Sequence, residues 1–119
     1  MRDRARAGRE GEAAAAACLS SEGYDILARN FRWAGGELDI VASKGEILAF
    51  VEVKSWSSLG KEALAQSIGR EKRRRIIETS KIFLARHREY NSRRVRYDVI
   101  LVRDGRVVER YESAFAGDV

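Results

Sequence analysis

The segment from Ile47 to Lys54 constrains the fold more than any other part of the sequence. It reads Ile-Leu-Ala-Phe-Val-Glu-Val-Lys, and its first five residues are all apolar. Side chains of a β-strand alternate between the two faces of a sheet, so consecutive apolar residues need cover on both faces. The pattern therefore predicts a central strand with other elements packed above and below it.

The rest of the chain supplies helices and strands in an order that suits such a sheet. We predict helices at about residues 4–21, 61–68 and 70–88, and strands at about residues 24–29, 37–42, 47–54, 93–102 and 106–111. Helices that alternate with strands in this way are typical of an α/β sandwich with a mixed sheet. The length of 119 residues favours a single domain that spans residues 1–119.

Composition narrows the class of protein further. An apolar content of 45% is enough for a packed core, although 34% of the residues are charged. Cys18 is the only cysteine, so a disulfide within the chain is impossible. The apolar run from Ala13 to Leu19 is far too short to span a bilayer. We therefore expect a cytoplasmic protein without a membrane partner.

Positive charge is concentrated in one segment. Eleven Lys or Arg residues and three Glu residues lie between Arg70 and Arg96, which gives this segment a net charge of +8 within a chain of net charge +5. A one-sided basic patch favours a polyanionic partner such as nucleic acid. The alternative is an ordinary solvated helix face that is laced with salt bridges.

Acidic residues and a lysine lie at the polar end of the predicted central strand and on the strand before it. Asp39, Glu52 and Lys54 would sit beside a buried sheet, where carboxylates in a low dielectric repel one another. A divalent cation would offset that repulsion, and Mg²⁺ prefers carboxylate oxygens, water and substrate phosphate as ligands. The alternative is that the strand simply emerges into solvent.

The register of the two strands decides whether these groups can meet. With a two-residue loop at Lys44-Gly45, Asp39 lies opposite Phe50 and Glu37 lies opposite Glu52. Asp39 is then diagonal to Glu52, on the same face of the sheet. A loop that is one residue longer would move Asp39 to the other face.

The spacing from Asp39 to Glu52-Val53-Lys54 resembles the Asp…(Asp/Glu)-X-Lys signature of the restriction-endonuclease-like superfamily. Further motifs resemble the YraN-like family of small bacterial proteins over nearly the whole chain. They are Gly8-x-x-Gly11-Glu12, Gly23-Tyr24-x-Ile26-Leu27-x-Arg29-Asn30-x-Arg32, Gly36-Glu37-Leu38-Asp39, Phe50-Val51-Glu52-Val53-Lys54, Lys72 and Tyr97-Asp98-Val99-Ile100.

This resemblance implies a restriction-endonuclease-like α/β/α sandwich, similar to the archaeal Holliday junction resolvases. It further implies that Asp39 and Glu52 bind Mg²⁺, with Mn²⁺ as a substitute, and that the Val53 carbonyl is a further ligand. Lys54 would orient or deprotonate the attacking water. Glu12 would be a ligand or would support one; alternatively, it is an acid that is favourable near a helix N-terminus.

Other residues carry two interpretations each. Arg29, Asn30 and Arg32 would contact nucleic acid, or Asn30 is a turn residue and the arginines are surface charges. Lys72 would also contact nucleic acid, because it aligns with the buried side of its helix and would approach the phosphate path. Glu37 would be a ligand or a solvated neighbour. The remaining candidates are Gln66, which stands where many relatives carry an acid, and Trp33 and Trp56, which would stack on bases or pack at the rim of the core.

We expect a metal-dependent endonuclease that hydrolyses phosphodiester bonds in structured or branched DNA, and the resemblance makes a homodimer plausible. A second hypothesis is a nucleic-acid-binding protein that keeps the nuclease fold with little or no catalytic activity. A third is an interaction protein whose basic helix contacts an acidic partner. Metal-dependent cleavage, and binding with a steep salt dependence, separate the three.

Overall fold

Two helices pack on a single five-stranded sheet. The computed structural model describes residues 4–55 and 68–116, with side chains from residue 8 onward. The elements are α1 (Arg4–Ser21), β1 (Asp25–Trp33), β2 (Gly36–Lys44), β3 (Ile47–Ser55), α2 (Arg70–Arg86), a 3₁₀ turn at Arg88–Tyr90, β4 (Arg94–Arg103) and β5 (Arg106–Phe115). Within these described ranges, no helix is both long and apolar enough to cross a lipid bilayer.

The strands lie side by side in chain order, from β1 to β5. All neighbouring pairs are antiparallel except β3 and β4, which are parallel. The predicted mixed sheet is therefore confirmed, and β3 lies at its centre with a run of buried residues from Leu48 to Glu52. The predicted β1 and β5 were too short, since β1 stays paired with β2 as far as Trp33 and β5 stays paired with β4 as far as Phe115. The helix predicted at 61–68 falls outside the described residues except for Ile68.

Each helix covers one face of the sheet with its own apolar cluster. On one face α1 contributes Ala15, Ala16 and Leu19, and the strands contribute Tyr24, Ile40, Ala42, Ala49, Val51, Ile100 and Val102. On the other face α2 contributes Ile76, Ile77 and Phe83, and the strands contribute Leu38, Val41, Leu48, Phe50 and Tyr97. Adjacent residues of β3 thus point to opposite clusters, which explains its apolar run and confirms the α/β sandwich.

The turn between β2 and β3 differs from the prediction by one residue. The two-residue loop is Gly45-Glu46, so Lys44 pairs with Ile47 and Val41 pairs with Phe50. The predicted pairing of Asp39 with Phe50 is therefore wrong. Gly45 adopts a φ of 57° at the first of the two loop positions, where type II′ hairpins require a positive φ.

The corrected register shifts the pairing by two residues, and an even shift leaves Asp39 and Glu52 on the face predicted for them. The β2–β3 ladder ends at the Ile40–Val51 pair, and Asp39 and Glu52 are the next residues of the two strands. The predicted pairing of Glu37 with Glu52 is wrong for the same reason.

Gly36 lets α2 approach the start of β2 closely. A Cβ atom built on Gly36 would lie 1.9 Å from Thr79 Oγ1 and 3.2 Å from Thr79 Cβ. Thr79 is buried, and its hydroxyl donates to the Arg75 carbonyl at 2.7 Å, so it cannot rotate away without losing that hydrogen bond. Only glycine therefore fits between β2 and α2 at this point.

Gly36→Ala is expected to lower the free energy of unfolding by about 1–3 kcal/mol, the usual cost of overpacking. Adding Thr79→Ala should restore part of the loss, because it removes Oγ1 but keeps Cβ. Urea denaturation of the three variants measures both effects. Gly8→Ala is the control, because a Cβ there meets nothing within 4 Å and alanine favours a helix. Wild-type stability in Gly36→Ala would contradict the close contact.

Candidate functional site

The site forms where the ladder between β2 and β3 ends. Past the Ile40–Val51 pair, the backbone N–H of Val53 donates to Oδ2 of Asp39 at 2.8 Å. The carboxylate thus takes the position of a strand carbonyl as the acceptor for β3. This bond fixes the Asp39 side chain against the end of β3, beside Glu52 and Lys54.

A local irregularity in β1 accompanies this arrangement. Asn30 has a φ of 55° and falls between the pairs Arg29–Ile40 and Phe31–Leu38, which is the level of Asp39. Asparagine tolerates the left-handed region better than most residues. At the same level β2 departs from regular alternation, since Leu38 and Val41 both contact the α2 side of the sheet.

Three carboxylates converge at this point from two elements. Glu12 of α1 and Glu37 and Asp39 of β2 each offer an oxygen, and these oxygens lie within 4.8 Å of one another. Opposite ligands of an octahedral Mg²⁺ ion are about 4 Å apart. The donor set therefore fits a hard divalent cation after a small inward movement. Glu37 is also held by Arg32, whose Nε lies 3.5 Å from Oε2.

Asp39 has the most perturbed acidity in this cluster. Burial and the neighbouring Glu52 carboxylate raise the pKa of Asp39 to about 8 from an ordinary 3.8. The hydrogen bond from the Val53 N–H opposes this rise but does not cancel it. Without a cation, the cluster therefore keeps a proton at neutral pH, and a bound cation would replace that proton.

Two lysines lie beside the carboxylates. Lys72 of α2 forms a 2.7 Å ion pair with the buried Glu52. Burial opposes the charge of Lys72, but the bonds to Glu52 overcome it, so the pKa of Lys72 is raised. Burial and the nearby Lys72 lower the pKa of Lys54. The two lysines are thus shifted in opposite directions, Lys72 toward the charged form and Lys54 toward the neutral amine.

Part of this cluster lines a cleft of about 250 Å³ between the β1–β2 hairpin and α2. Its walls include Glu37, Asp39, Glu52, Lys72 and Arg75. Sequence analysis missed Arg75, although its position three residues after Lys72 on a helix could have indicated a shared face. The cleft combines clustered acids with two basic side chains, which suits a phosphate that is bound through a cation.

Some of the other predicted site residues lie near the acidic cluster and some do not. Arg29, Asn30 and Arg32 are exposed on β1, an edge strand of the sheet, and only Arg32 contacts the acidic cluster. Val53 contributes its N–H to Asp39, while a metal role for its carbonyl stays a prediction. Gln66 lies outside the described residues. Contacts of these residues with nucleic acid also stay predictions.

A second polar cluster is buried on the α1 side of the sheet and was not predicted. Arg96 makes a double hydrogen bond to Asp98 and donates to the Tyr24 hydroxyl at 2.7 Å. Asp98 also accepts the backbone N–H of Ser113 at 3.0 Å, where the β4–β5 register shifts. Both oxygens of Asp98 thus accept hydrogen bonds from neighbouring parts of the fold, so we infer that this cluster stabilises the structure.

Comparison with known proteins identifies the family. A family model described as uncharacterised protein family UPF0102 matches residues 11–102, which include the site from Glu12 to Arg75. A UPF0102 protein of Treponema pallidum (strain Nichols) is 47% identical over 93 residues, which cover 78% of this chain and 74% of that protein. Those of Mesorhizobium japonicum and Nitrobacter winogradskyi are 42% identical over 112 residues (94% and 88% of the two chains) and 41% identical over 109 residues (92% and 91%). The resemblance to the YraN-like proteins is thus confirmed, and the chain belongs to the UPF0102 family.

Proposed function

We propose that this chain is a metal-dependent endonuclease that hydrolyses phosphodiester bonds in structured or branched DNA. The observation that carries the proposal is the convergence of Glu12, Glu37 and Asp39 on one point beside the buried Glu52. Such a cluster costs stability unless a cation binds, because the charged carboxylates repel one another in a low dielectric. A functional requirement for a bound cation explains why the sequence contains this cluster of carboxylates.

The four carboxylates have different roles at the ion. Asp39, Glu37 and Glu12 supply oxygens directly, and Mg²⁺ or Mn²⁺ fits such a set. Glu52 lies next to Asp39, and its ion pair with Lys72 holds its carboxylate in position. The Val53 carbonyl is a further candidate ligand at the same strand end. A bound divalent cation supplies charge stabilisation for the phosphate and acidifies water.

Lys54 is the residue best suited to move the proton. Its lowered pKa increases the fraction of neutral amine, which can accept the proton of the attacking water. The water oxygen then bonds to phosphorus, and the bond from phosphorus to the leaving oxygen breaks. Lys72 and Arg75 line the same cleft and would bind the non-bridging phosphate oxygens.

The basic face of α2 supports a polyanionic substrate. Arg70, Arg74, Arg75, Lys81 and Arg86 are exposed along this helix. Nucleic acid that enters the cleft would lie on the charges of α2 and reach Arg29, Asn30 and Arg32 on the edge strand. Preference for branched DNA and assembly as a homodimer follow from the likeness to junction resolvases and are part of the proposal.

Lys54→Met is expected to slow metal-dependent cleavage at least 100-fold, since a positioned general base contributes about 10²- to 10⁴-fold. The assay incubates purified protein with a four-way junction, linear duplex, single-stranded DNA and RNA in Mg²⁺ or Mn²⁺. Lys44→Met is the matched control, because Lys44 is exposed at the other end of the same hairpin. It should cleave like the wild type.

Three outcomes are informative. Cleavage that is lost in EDTA and in Lys54→Met supports the nuclease. Binding with a steep salt dependence but no cleavage on any substrate in either metal supports a binding module with the nuclease fold. Weak binding that does not respond to salt rejects nucleic acid as the partner and favours an acidic protein.

A further inference from the structure

Trp33 is a large aromatic side chain that the fold leaves in solvent. It is 43% exposed, and among the described residues only Val108 and Tyr111 are comparably exposed large apolar side chains. It lies at the end of β1, where Trp33 pairs with Gly36 across a two-residue turn. Both turn residues have positive φ, 47° at Ala34 and 85° at Gly35, as type I′ hairpins require.

The position of Trp33 is fixed by its surroundings. Gly36, its partner across the turn, packs against Thr79 of α2, so the hairpin tip is anchored to the helix. The Arg86 guanidinium lies over the indole ring, 4.4 Å from the ring centroid. A rigid, half-exposed aromatic ring with a cation beside it is a suitable stacking surface for a planar ligand.

A line of residues on α2 connects Trp33 with the acidic cluster. Lys72, Arg75, Thr79 and Arg86 are separated by three, four and seven residues, so they lie on one stripe of the helix. This stripe runs from Glu52, which Lys72 binds, past Gly36 to Trp33. From Lys72 to Arg86 it measures about 21 Å, at 1.5 Å per residue.

The surface between the two ends is concave. A cavity of about 380 Å³ is lined by residues 32–37. It shares Gly35, Gly36 and Glu37 with the cleft that contains Asp39 and Glu52. The turn of the β1–β2 hairpin thus lines both hollows, with Trp33 at one of them and the acidic cluster at the other.

We propose that Trp33, with Arg86, is a stacking subsite for an unpaired nucleobase a few nucleotides from the phosphate in the acidic cleft. This inference rests on the proposed function and names its substrate class: nucleic acid with a single-stranded segment at the cleavage position. A paired base inside a duplex has both faces covered by its neighbours, so only an unpaired base can present a face to the indole. Lys72 and Arg75 at one end of the stripe, and Arg86 at the other, would bind backbone phosphates beside each site.

Tryptophan fluorescence tests the subsite without any cleavage. The protein carries Trp56→Phe, so that Trp33 is the only tryptophan, and it is titrated in EDTA with oligothymidylate or with a fully paired linear duplex of equal length. We expect oligothymidylate to quench the fluorescence and the duplex to have little effect. In the otherwise unmodified chain, Trp33→Ala should weaken oligothymidylate binding about 5- to 150-fold by anisotropy, and Trp33→Phe should restore most of it.

Tyr111→Ala is the control, because Tyr111 is also exposed but lies on β5 at the opposite edge of the sheet. Equal binding by wild type and Trp33→Ala, with unchanged melting temperatures, would overturn the subsite and assign Trp33 to the rim of the fold or to a protein contact. The subsite and the nuclease can fail separately. If Trp33→Ala loses oligothymidylate binding but the wild type shows no metal-dependent cleavage, the subsite stands and the nuclease is rejected. If the wild type cleaves but Trp33→Ala binds oligothymidylate as well as the wild type does, the nuclease stands and the subsite is rejected.

Discussion

Asp39→Asn is expected to make the metal-free protein more stable at pH 8.5 while it reduces DNA cleavage by at least 100-fold. Asparagine keeps an oxygen that can accept the Val53 N–H, and its amide can donate to a neighbouring carboxylate. It cannot supply the charge that a divalent cation needs. One substitution should therefore separate what the site contributes to function from what it costs the fold.

The pH dependence of stability follows from the raised pKa of Asp39. Because the folded chain holds a proton up to about pH 8 and the unfolded chain releases it near pH 4, the folded state binds more protons between these values. Stability that is present at low pH is therefore lost as the pH rises through this window. We expect a loss of about 2 kcal/mol in the wild type, since each pKa unit corresponds to about 1.4 kcal/mol and the carboxylates can relax apart. Asp39→Asn should lack this loss.

Thermal melts at pH 5.5 and 8.5, with and without Mg²⁺, measure the effect. At pH 8.5 without metal, the variant should melt about 5 °C above the wild type. Added Mg²⁺ should raise the melting temperature of the wild type alone, because only a state that binds the ion is stabilised by it. Glu46→Gln, at the exposed turn of the same hairpin, should behave like the wild type. A wild type that is insensitive to both pH and Mg²⁺ would refute the cation site.

The central strand and its polar end could be predicted from the sequence because both are local patterns. Consecutive apolar residues report burial on both faces, and alternation fixes which side chains share a face. For that reason Asp39 and Glu52 were correctly expected on the same face even though the turn was misplaced by one residue. An error of one position in a two-residue loop changes the pairing by two and preserves the faces.

The contacts of α2 could not be predicted in the same way. That Lys72 pairs with Glu52, and that Arg75 lines the cleft, depends on how the helix is placed over the sheet. Periodicity indicates which helix face is buried but not which strand residue it meets. The Gly36–Thr79 contact, which sets this placement, is invisible in the sequence because glycine has many other uses.

The same reasoning applies to α1 and Glu12. A Cβ on Gly11 would lie 2.6 Å from Val102 Cγ2, so this turn of α1 lies unusually close to β4. The next residue, Glu12, reaches the carboxylates of β2. Glycines at residues 11 and 36 thus bring the two helices close to the sheet on either side of Asp39. Within the described part of the chain, the site is thus assembled by close packing around the end of the β2–β3 ladder.

The Arg96–Asp98 pair should matter for stability alone. Asp98 is 1% exposed, and its ion pair with the half-buried Arg96 has a separation of 2.8 Å. Asp98→Ala is expected to lower the free energy of unfolding by about 3 kcal/mol, because Arg96 then keeps only its 3.6 Å ion pair with the exposed Glu112. The backbone N–H of Ser113 would lose its acceptor as well, which adds to the cost. Urea denaturation at pH 7 measures the loss.

A double variant separates the two parts of this cost. Arg96→Met combined with Asp98→Leu removes both charges and keeps the volume, so it should recover much of the stability that Asp98→Ala loses. The comparison pair is Glu71 and Arg74, which are 2.6 Å apart but exposed on α2. Glu71→Ala should leave the denaturation midpoint unchanged, because solvent screens that pair. Equal losses of stability for Asp98→Ala and Glu71→Ala would show that burial does not set the strength of these ion pairs. Asp98 would then not be what stabilises the register shift between β4 and β5.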